Sequence, residues 1–306
     1  MTILVTGAAG FVGQTVAQRL CAGSSPQAIR LLDRTSPLAP DDPRFSSFCG
    51  DLLDPAVVDR ALEGVDTVIH LASVPGAAAE QDPALARRVN VDATFALLER
   101  IDTGQNPVRF VYASSIAVFG MLPDQVDDET PPAPALVYGA HKRMMELAVA
   151  DFHRRGRVRA ISLRLPGIVA RPSGASGLKS AFMSAIFHAA WLHQPYAVPV
   201  GPDATCWMMS VACAADNLVH AAEITAVDGR ALTLPAVRVR IGDLAEQLFG
   251  VDSPDIFFEP DTALQALFGA YPPLATPAAQ ALGFRDDGDL AGLVEVVLQD
   301  IAARAA

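Results

Sequence analysis

Through its first half the chain alternates short apolar runs, each closed by glycine, aspartate or serine, with longer stretches of helical periodicity. Ile3-Leu4-Val5 is the first run. It meets Thr6-Gly7, and an apolar helical pattern follows from Phe11 to Leu20, capped near Gly23. Ile29 to Leu32 is a second strand, ended by Asp33, and a third short strand precedes Asp51-Leu52. Asp54-Pro55 opens a helix running to about Leu62. Asp66 to Leu71 is a buried-type strand leading into Ala72-Ser73, and Pro83 to Ile101 reads as one long helix. Val108 to Ala113 is the next strand, ending at Ser114-Ser115. A loop with Pro123, Pro131, Pro132 and Pro134 separates it from a helix over about Leu136 to Arg155, and Arg157 to Leu165 is a strand delivering Pro166.

Strands and helices alternating at this spacing imply right-handed βαβ crossovers, hence an α/β fold of the Rossmann type: a doubly wound parallel sheet covered on both faces. Ligands of such sheets sit beyond the carboxyl ends of the strands. Gly7, Asp33, Asp51, Ala72-Ser73, Ser114-Ser115 and Pro166 are therefore expected to line one crevice. Past Arg171 the alternation fades into a loop, Pro172 to Gly177, then an apolar helix and short strands and helices. Residues 1–170 are expected to form the nucleotide-binding domain and 171–306 a smaller α/β substrate domain, with chain crossings back to the first.

Composition removes several functions. Apolar residues make up 51% of the chain, and 23 basic against 34 acidic residues leave a net charge of −11 with no basic run. Nucleic acid and anionic membranes are thus excluded as expected partners. Cys21, Cys49, Cys206 and Cys213 form no CxxC pair and no metal-like cluster with histidines. No metal is expected. With no basic n-region at the N-terminus and no span long enough for a bilayer, the chain reads as a cytoplasmic protein.

The first thirteen residues carry the first chemistry. A strand that turns through Gly7, Gly10 and Gly13 straight into a helix lets backbone approach a phosphate, and the helix N-terminus offers it N–H groups and a positive dipole end. This is a GxxGxxG variant of the dinucleotide fingerprint, and Asp33 is the acidic residue expected about twenty positions on. A carboxylate there repels a 2′-phosphate. Arg34 beside it could receive one; NAD is the expected cofactor, with NADP second.

Tyr138 and Lys142 are four apart on a helix and share a face. An ammonium beside a phenol favours phenolate, lowering a tyrosine pKa from near ~10 towards working pH. Ser115, at a strand end in the same crevice, could hydrogen-bond the reacting oxygen. Together they make a base for a substrate alcohol whose carbon gives up hydride.

The ordered segments TGAAGFVG, Asp33, Asp51-Leu52, HLAS, VNVDAT, ASSIAVFG, YGAHK and RLPGIV resemble the extended short-chain dehydrogenase/reductase family, also called NAD-dependent epimerase/dehydratases. The resemblance covers about residues 1 to 170 closely. It implies Ser115, Tyr138 and Lys142 as the catalytic set, completed by Asn90. It implies cofactor contacts from Gly7, Gly10, Phe11, Val12 and Gly13 (pyrophosphate), Asp33 and Arg34 (adenosine ribose side), Asp51 and Leu52 (adenine), and Leu71, Ala72 and Ser73. Pro166 and Ile168 would flank the nicotinamide, and Tyr138 and Lys142 would reach its ribose. Members often dimerise through the two long helices, here about residues 83–101 and 136–155.

Within the family, ASSIAVFG, YGAHKRMMELAVADFHRRG and ISLRLPGIVARPSGASG are similar to the D-erythronate dehydrogenase-like branch, which oxidises a hydroxyl beside a carboxylate in small sugar acids. Arg171 is then the candidate grip for that carboxylate, by bidentate guanidinium contact. Ser73, Ser115, Ser173 and Ser176 could hydrogen-bond substrate hydroxyls. Nucleotide-sugar members generally carry an arginine in the segment here spanning Asp203 to Val211, which has none. Branch members tend to show histidine near Trp207; Met208 and Met209 stand there and imply a more apolar pocket. The alternatives are a nucleotide-sugar epimerase or dehydratase that keeps its NAD, and a non-catalytic dinucleotide sensor on the same fold.

Overall fold

The computed structural model describes residues 1–23, 26–103, 106–172, 179–225 and 227–305. The chain divides into two compact units. The first comprises Met1–Met121, Pro131–Leu165 and Ala215–Thr233; the second comprises Leu122–Thr130, Pro166–Ala214 and Leu234–Ala306.

The first unit is built on a seven-stranded parallel sheet. Its strands are β1 (Thr2–Thr6), β2 (Ala28–Asp33), β3 (Phe45–Cys49), β4 (Thr67–His70), β5 (Val108–Ser115), β6 (Val158–Leu165) and a three-residue edge strand, Ala231–Thr233. The spatial order is β3-β2-β1-β4-β5-β6 and then Ala231–Thr233. Every pairing in it is parallel. Consecutive residues Leu4 and Val5 are both fully buried, as are Phe110 and Val111, so both faces of the sheet are covered. That is why these strands read as unbroken apolar runs rather than as alternating ones.

The helices of this unit are α1 (Phe11–Ala22), α2 (Pro55–Leu62), α3 (Gly76–Gln81), α4 (Pro83–Arg87), α5 (Thr94–Asp102) and α6 (Val137–Arg155). Asp54 caps α2, its carboxylate accepting from the Ala56 N–H at 2.9 Å with Pro55 in the first turn. The stretch expected as one helix over 83–101 is α4 and α5 joined by a π-helical turn, Arg88–Ala93. Beneath α5 and α6 lies a core of Leu4, Val68, Leu97, Phe110, Tyr112, Val149 and Phe152.

In the second unit, Thr205–Met209 pairs antiparallel with Val237–Arg240 and parallel with Gly167–Ile168. Tyr196–Val198 pairs with Ile256–Phe258. Its core gathers Phe182 and Phe187 of helix α7 (Phe182–Trp191) with Val198, Met208, Leu244, Leu293 and Val297. No described helix is long and apolar enough to cross a membrane, and all four cysteines are free thiols.

Candidate active site

The strand order reverses between β1 and β4, and the candidate residues of the first unit gather at the carboxyl ends around that point. Leaving β1, the chain turns at Gly7 with φ +72°, a region glycine enters without cost. A Cβ on Gly13 would lie 2.3 Å from the Gly7 carbonyl oxygen, so only glycine lets α1 start this close to the turn. Gly10 occupies the N-cap with no side chain capping the helix, and Phe11 and Val12 open α1. The N-terminus of a twelve-residue helix therefore faces the turn with no side chain on its N-cap residue.

Asp33 ends β2 and leans on that turn. Its Oδ2 accepts from the Ala9 N–H at 3.0 Å, and its Oδ1 accepts from the Thr35 N–H at 3.2 Å. Arg34 is exposed beside it. Asp51 and Leu52 follow β3, where Asp51 accepts from the Leu53 N–H at 2.9 Å. Leu71, Ala72 and Ser73 continue β4, half-buried. A glycine-shaped cradle, a helix start with glycine at its N-cap and a carboxylate at the next strand end suit a dinucleotide.

Asn90 is buried in the π-helical turn and clasps the main chain of Val74. Its Oδ1 accepts from the Val74 N–H at 2.7 Å, and its Nδ2 donates to the Val74 carbonyl at 2.9 Å. The side chain thus fixes the segment that follows β4.

Ser115 closes β5, its Oγ accepting from the Ala117 N–H at 3.1 Å. Helix α6 is pressed against this turn: a Cβ on Gly139 would sit 2.0 Å from the Ala117 carbonyl oxygen. Glu80 accepts from the Val137 N–H at 2.7 Å and anchors the first turn of α6. Tyr138 and Lys142 follow on that helix. Lys142 is buried, donates from Nζ to the Ala113 carbonyl at 2.6 Å, and lies 4.7 Å from the Tyr112 ring centre and 5.5 Å from that of Tyr138. Burial pushes its ammonium down to about 7, with Glu146 pulling the other way.

Below this row is a polar layer whose Glu146 and Arg164 sequence reasoning missed. Glu146, buried on α6, accepts from Ser114 Oγ at 2.6 Å, from Arg164 Nε at 2.9 Å and Nη2 at 3.0 Å, and from Arg143 Nη1 at 3.2 Å. His70 is held between Thr6 Oγ1 at 2.7 Å and Thr94 Oγ1 at 3.0 Å. An arginine inside the apolar strand Ile161-Ser162-Leu163-Arg164-Leu165 was the available signal, since a buried guanidinium demands a carboxylate.

Pro166 and Ile168 are buried and lie in the second unit with Arg171. Arg171 is held through its backbone: its N–H donates to Ser184 Oγ at 3.2 Å and its carbonyl accepts from His188 Nε2 at 2.7 Å. The preceding Ala170 has φ +58°, unusual for a residue with a Cβ. The Arg171 Nε–H donates to the Ile168 carbonyl at 3.3 Å. Ser173 and Ser176 lie outside the described residues. Met208 and Met209 are fully buried. Among the described residues no three His, Cys, Asp or Glu side chains gather as metal ligands.

A family model described as "NAD dependent epimerase/dehydratase family" matches residues 3–207. D-erythronate dehydrogenase of Cupriavidus necator is 34% identical over 321 residues, covering 98% of both chains. D-erythronate dehydrogenase of Haemophilus influenzae is 30% identical over 312 residues, covering 98% of this chain and 99% of its own. Among solved structures, the nucleoside-diphosphate-sugar epimerase from Agrobacterium tumefaciens superposes with a TM-score of 0.91 at 30% identity, covering 98% of this chain and 94% of that one. A family match over more than half the chain, with relatives aligned along its whole length, makes this chain a member of the NAD-dependent epimerase/dehydratase family.

Proposed function

We propose that the chain is a dehydrogenase that uses NAD to oxidise a hydroxyl next to the carboxylate of a small sugar acid of the D-erythronate type. The observation that carries the reading is Lys142, buried between the Tyr112 and Tyr138 rings on the helix that presents Tyr138 beside the Ser115 turn. Full-length likeness to two D-erythronate dehydrogenases supports the substrate class.

Tyr138 takes the proton of the substrate hydroxyl as the carbon is oxidised to a carbonyl. Ser115 hydrogen-bonds the same oxygen, and Lys142, when protonated, holds Tyr138 as phenolate. Bound NAD supplies the hydride acceptor. Gly7, Gly10, Phe11, Val12 and Gly13 would hold its pyrophosphate, Asp33 its adenosine ribose, Asp51 and Leu52 its adenine, and Leu71 to Ser73 with Pro166 and Ile168 its inner half. The Asp33 carboxylate favours NAD over NADP, because a 2′-phosphate there would meet a negative charge. Asn90 supports the site by fixing the segment after β4. The first unit would serve as the cofactor domain and the second as the substrate domain, so the expected division into 1–170 and 171–306 is crossed by Leu122–Thr130, Pro166–Ala170 and Ala215–Thr233. Arg171, its backbone pinned by Ser184 and His188, would engage the substrate carboxylate.

The second reading, an epimerase that retains its NAD, is favoured by the likeness to the nucleoside-diphosphate-sugar epimerase. Against it, Thr205–Met209 carries no arginine, and the arginines of the neighbouring strand are engaged. Arg238 donates to the Tyr271 carbonyl, and Arg240 pairs with Asp203 and Asp243. Phe95 on α5 and Met144 and Leu147 on α6 are exposed apolar side chains, which supports a homodimer through these helices.

Initial-rate NAD and NADP reduction across four- to six-carbon aldonates and uronates tests the reading. Turnover of one short acid with NAD is expected. Silence across the panel, with NAD that co-purifies and does not exchange, would replace it with the epimerase reading.

A further inference from the structure

Glu146 is a buried carboxylate to which the mechanism above gives no part. It stands one helical turn after Lys142 on the same face of α6, two turns after Tyr138. Its four donors come from three elements: Ser114 at the end of β5, Arg164 on β6, and Arg143 on α6 itself. Ser114 precedes Ser115, so one carboxylate ties the helix bearing Tyr138 and Lys142 to the strand end bearing Ser115.

We propose that Glu146 is a positioning residue of the Ser115–Tyr138–Lys142 set, locking α6 in register with β5 and β6 and supplying a buried counter-charge to Lys142. The proposal rests on the dehydrogenase reading for the role of Tyr138. Among the described residues Lys142 faces the Ala113 carbonyl, the Tyr112 and Tyr138 rings, and His70, which is itself neutral because burial and Lys142 hold its pKa down to about 3. Tyr112 is buried, and its phenol is raised well above its ordinary value. Glu146 is thus the negative charge that Lys142 feels, and its effect is to raise the lysine. Arg164 and Arg143 face Glu146 and hold the carboxylate in place.

Removing the carboxylate has two consequences of the same sign. Lys142 loses its counter-charge, and Arg164 is left as an unpaired buried cation, so Lys142 gives up its proton at lower pH. Direct loss of the carboxylate, two helical turns from Tyr138, favours its phenolate slightly, but loss of the ammonium 5.5 Å from its ring disfavours it more, so the Tyr138 ionisation moves up.

The test is a tyrosinate absorbance titration of the full chain, wild type, Glu146→Gln and Glu146→Asp, each paired with its Tyr138→Phe counterpart to isolate Tyr138. Glu146→Gln is expected to move the Tyr138 ionisation upward, with the acid limb of the kcat/KM profile following, and Glu146→Asp to restore most of the shift. A folded Glu146→Gln chain with lower Tm and an unmoved titration overturns the proposal. Should that variant not fold, Glu146→Gln/Arg164→Gln, which leaves no fully buried cation orphaned, is titrated instead; an upward shift supports the proposal and none overturns it. The titration uses no substrate, so a silent substrate panel refutes the sugar-acid reading alone. A wild-type Tyr138 that ionises like free tyrosine would refute the Ser-Tyr-Lys reading on which the proposal stands.

Discussion

His70 makes the fold acid-sensitive by an amount that can be worked out. The ring is buried with both nitrogens engaged by threonine hydroxyls, from Thr6 at the end of β1 and Thr94 at the start of α5. A neutral ring needs one donor and one acceptor, which two hydroxyls can supply. A protonated ring needs two acceptors and has Lys142 nearby. Burial first, then Lys142, hold the folded pKa down to about 3 from 6.5. The sign follows from linkage. Below the unfolded value the open chain takes up a proton that the fold refuses, so stability falls as pH drops from 6.5 towards 3. Between about pH 6.5 and about pH 4 the span is some 2.5 units, which is roughly 3 kcal/mol at ~1.36 kcal/mol per unit. His70→Gln keeps one of the two hydrogen bonds and removes the titration, costing about 1–2 kcal/mol at neutral pH. Urea denaturation of both proteins at several pH values separates the term from carboxylate titration, which the two share. The wild-type advantage near neutrality should shrink and reverse by about pH 4, the gap closing by roughly 3 kcal/mol. A gap that stays constant over that range would refute a neutral, doubly engaged His70.

Gly13→Ala places a Cβ against the Gly7 carbonyl and should weaken NAD binding at least tenfold by calorimetry, with the far-ultraviolet spectrum preserved; unchanged affinity would remove the turn from the cofactor site. Arg171→Ala should raise KM for the acid about tenfold or more with kcat little changed, the loss of a charge-assisted contact of about 1.5–3 kcal/mol. Leu147→Glu paired with Met144→Glu puts charge on the exposed face of α6, and light scattering should report a dimer for the wild type and a monomer for this variant; a monomeric wild type would refute the proposed dimer.

Much of the first unit was legible because strands buried on both faces must be apolar throughout and must end where the ligand side begins. Ile3-Leu4-Val5 before Gly7 and Ile29 to Leu32 before Asp33 show both properties. The π-helical turn at Arg88–Ala93 was not, since the apolar pattern of residues 83–101 fits an unbroken helix and the turn adds one residue without changing composition. Helix α3 is a single alanine-rich turn and a half with no stripe to mark it. The edge strand Ala231–Thr233 has three residues, and its pairing with Ser162–Arg164 is set by a partner far along the chain. In the site, glycine spacing and the Tyr138–Lys142 interval are local facts and could be read. Glu146 could not: one acidic residue on an amphipathic helix looks solvated until Arg164 arrives from β6. Its burial is a tertiary fact, and so is the depressed pKa of Lys142.

Side-by-side initial rates of wild type and Tyr138→Phe with NAD and the best-turned-over acid put the chemistry to its plainest trial. The phenylalanine variant should bind NAD with nearly unchanged affinity while kcat falls by a factor of about 10² to 10⁴, the range for loss of a positioned general base. Wild-type-like turnover in that variant would contradict the assignment of Tyr138 as the base and the dehydrogenase mechanism built on it.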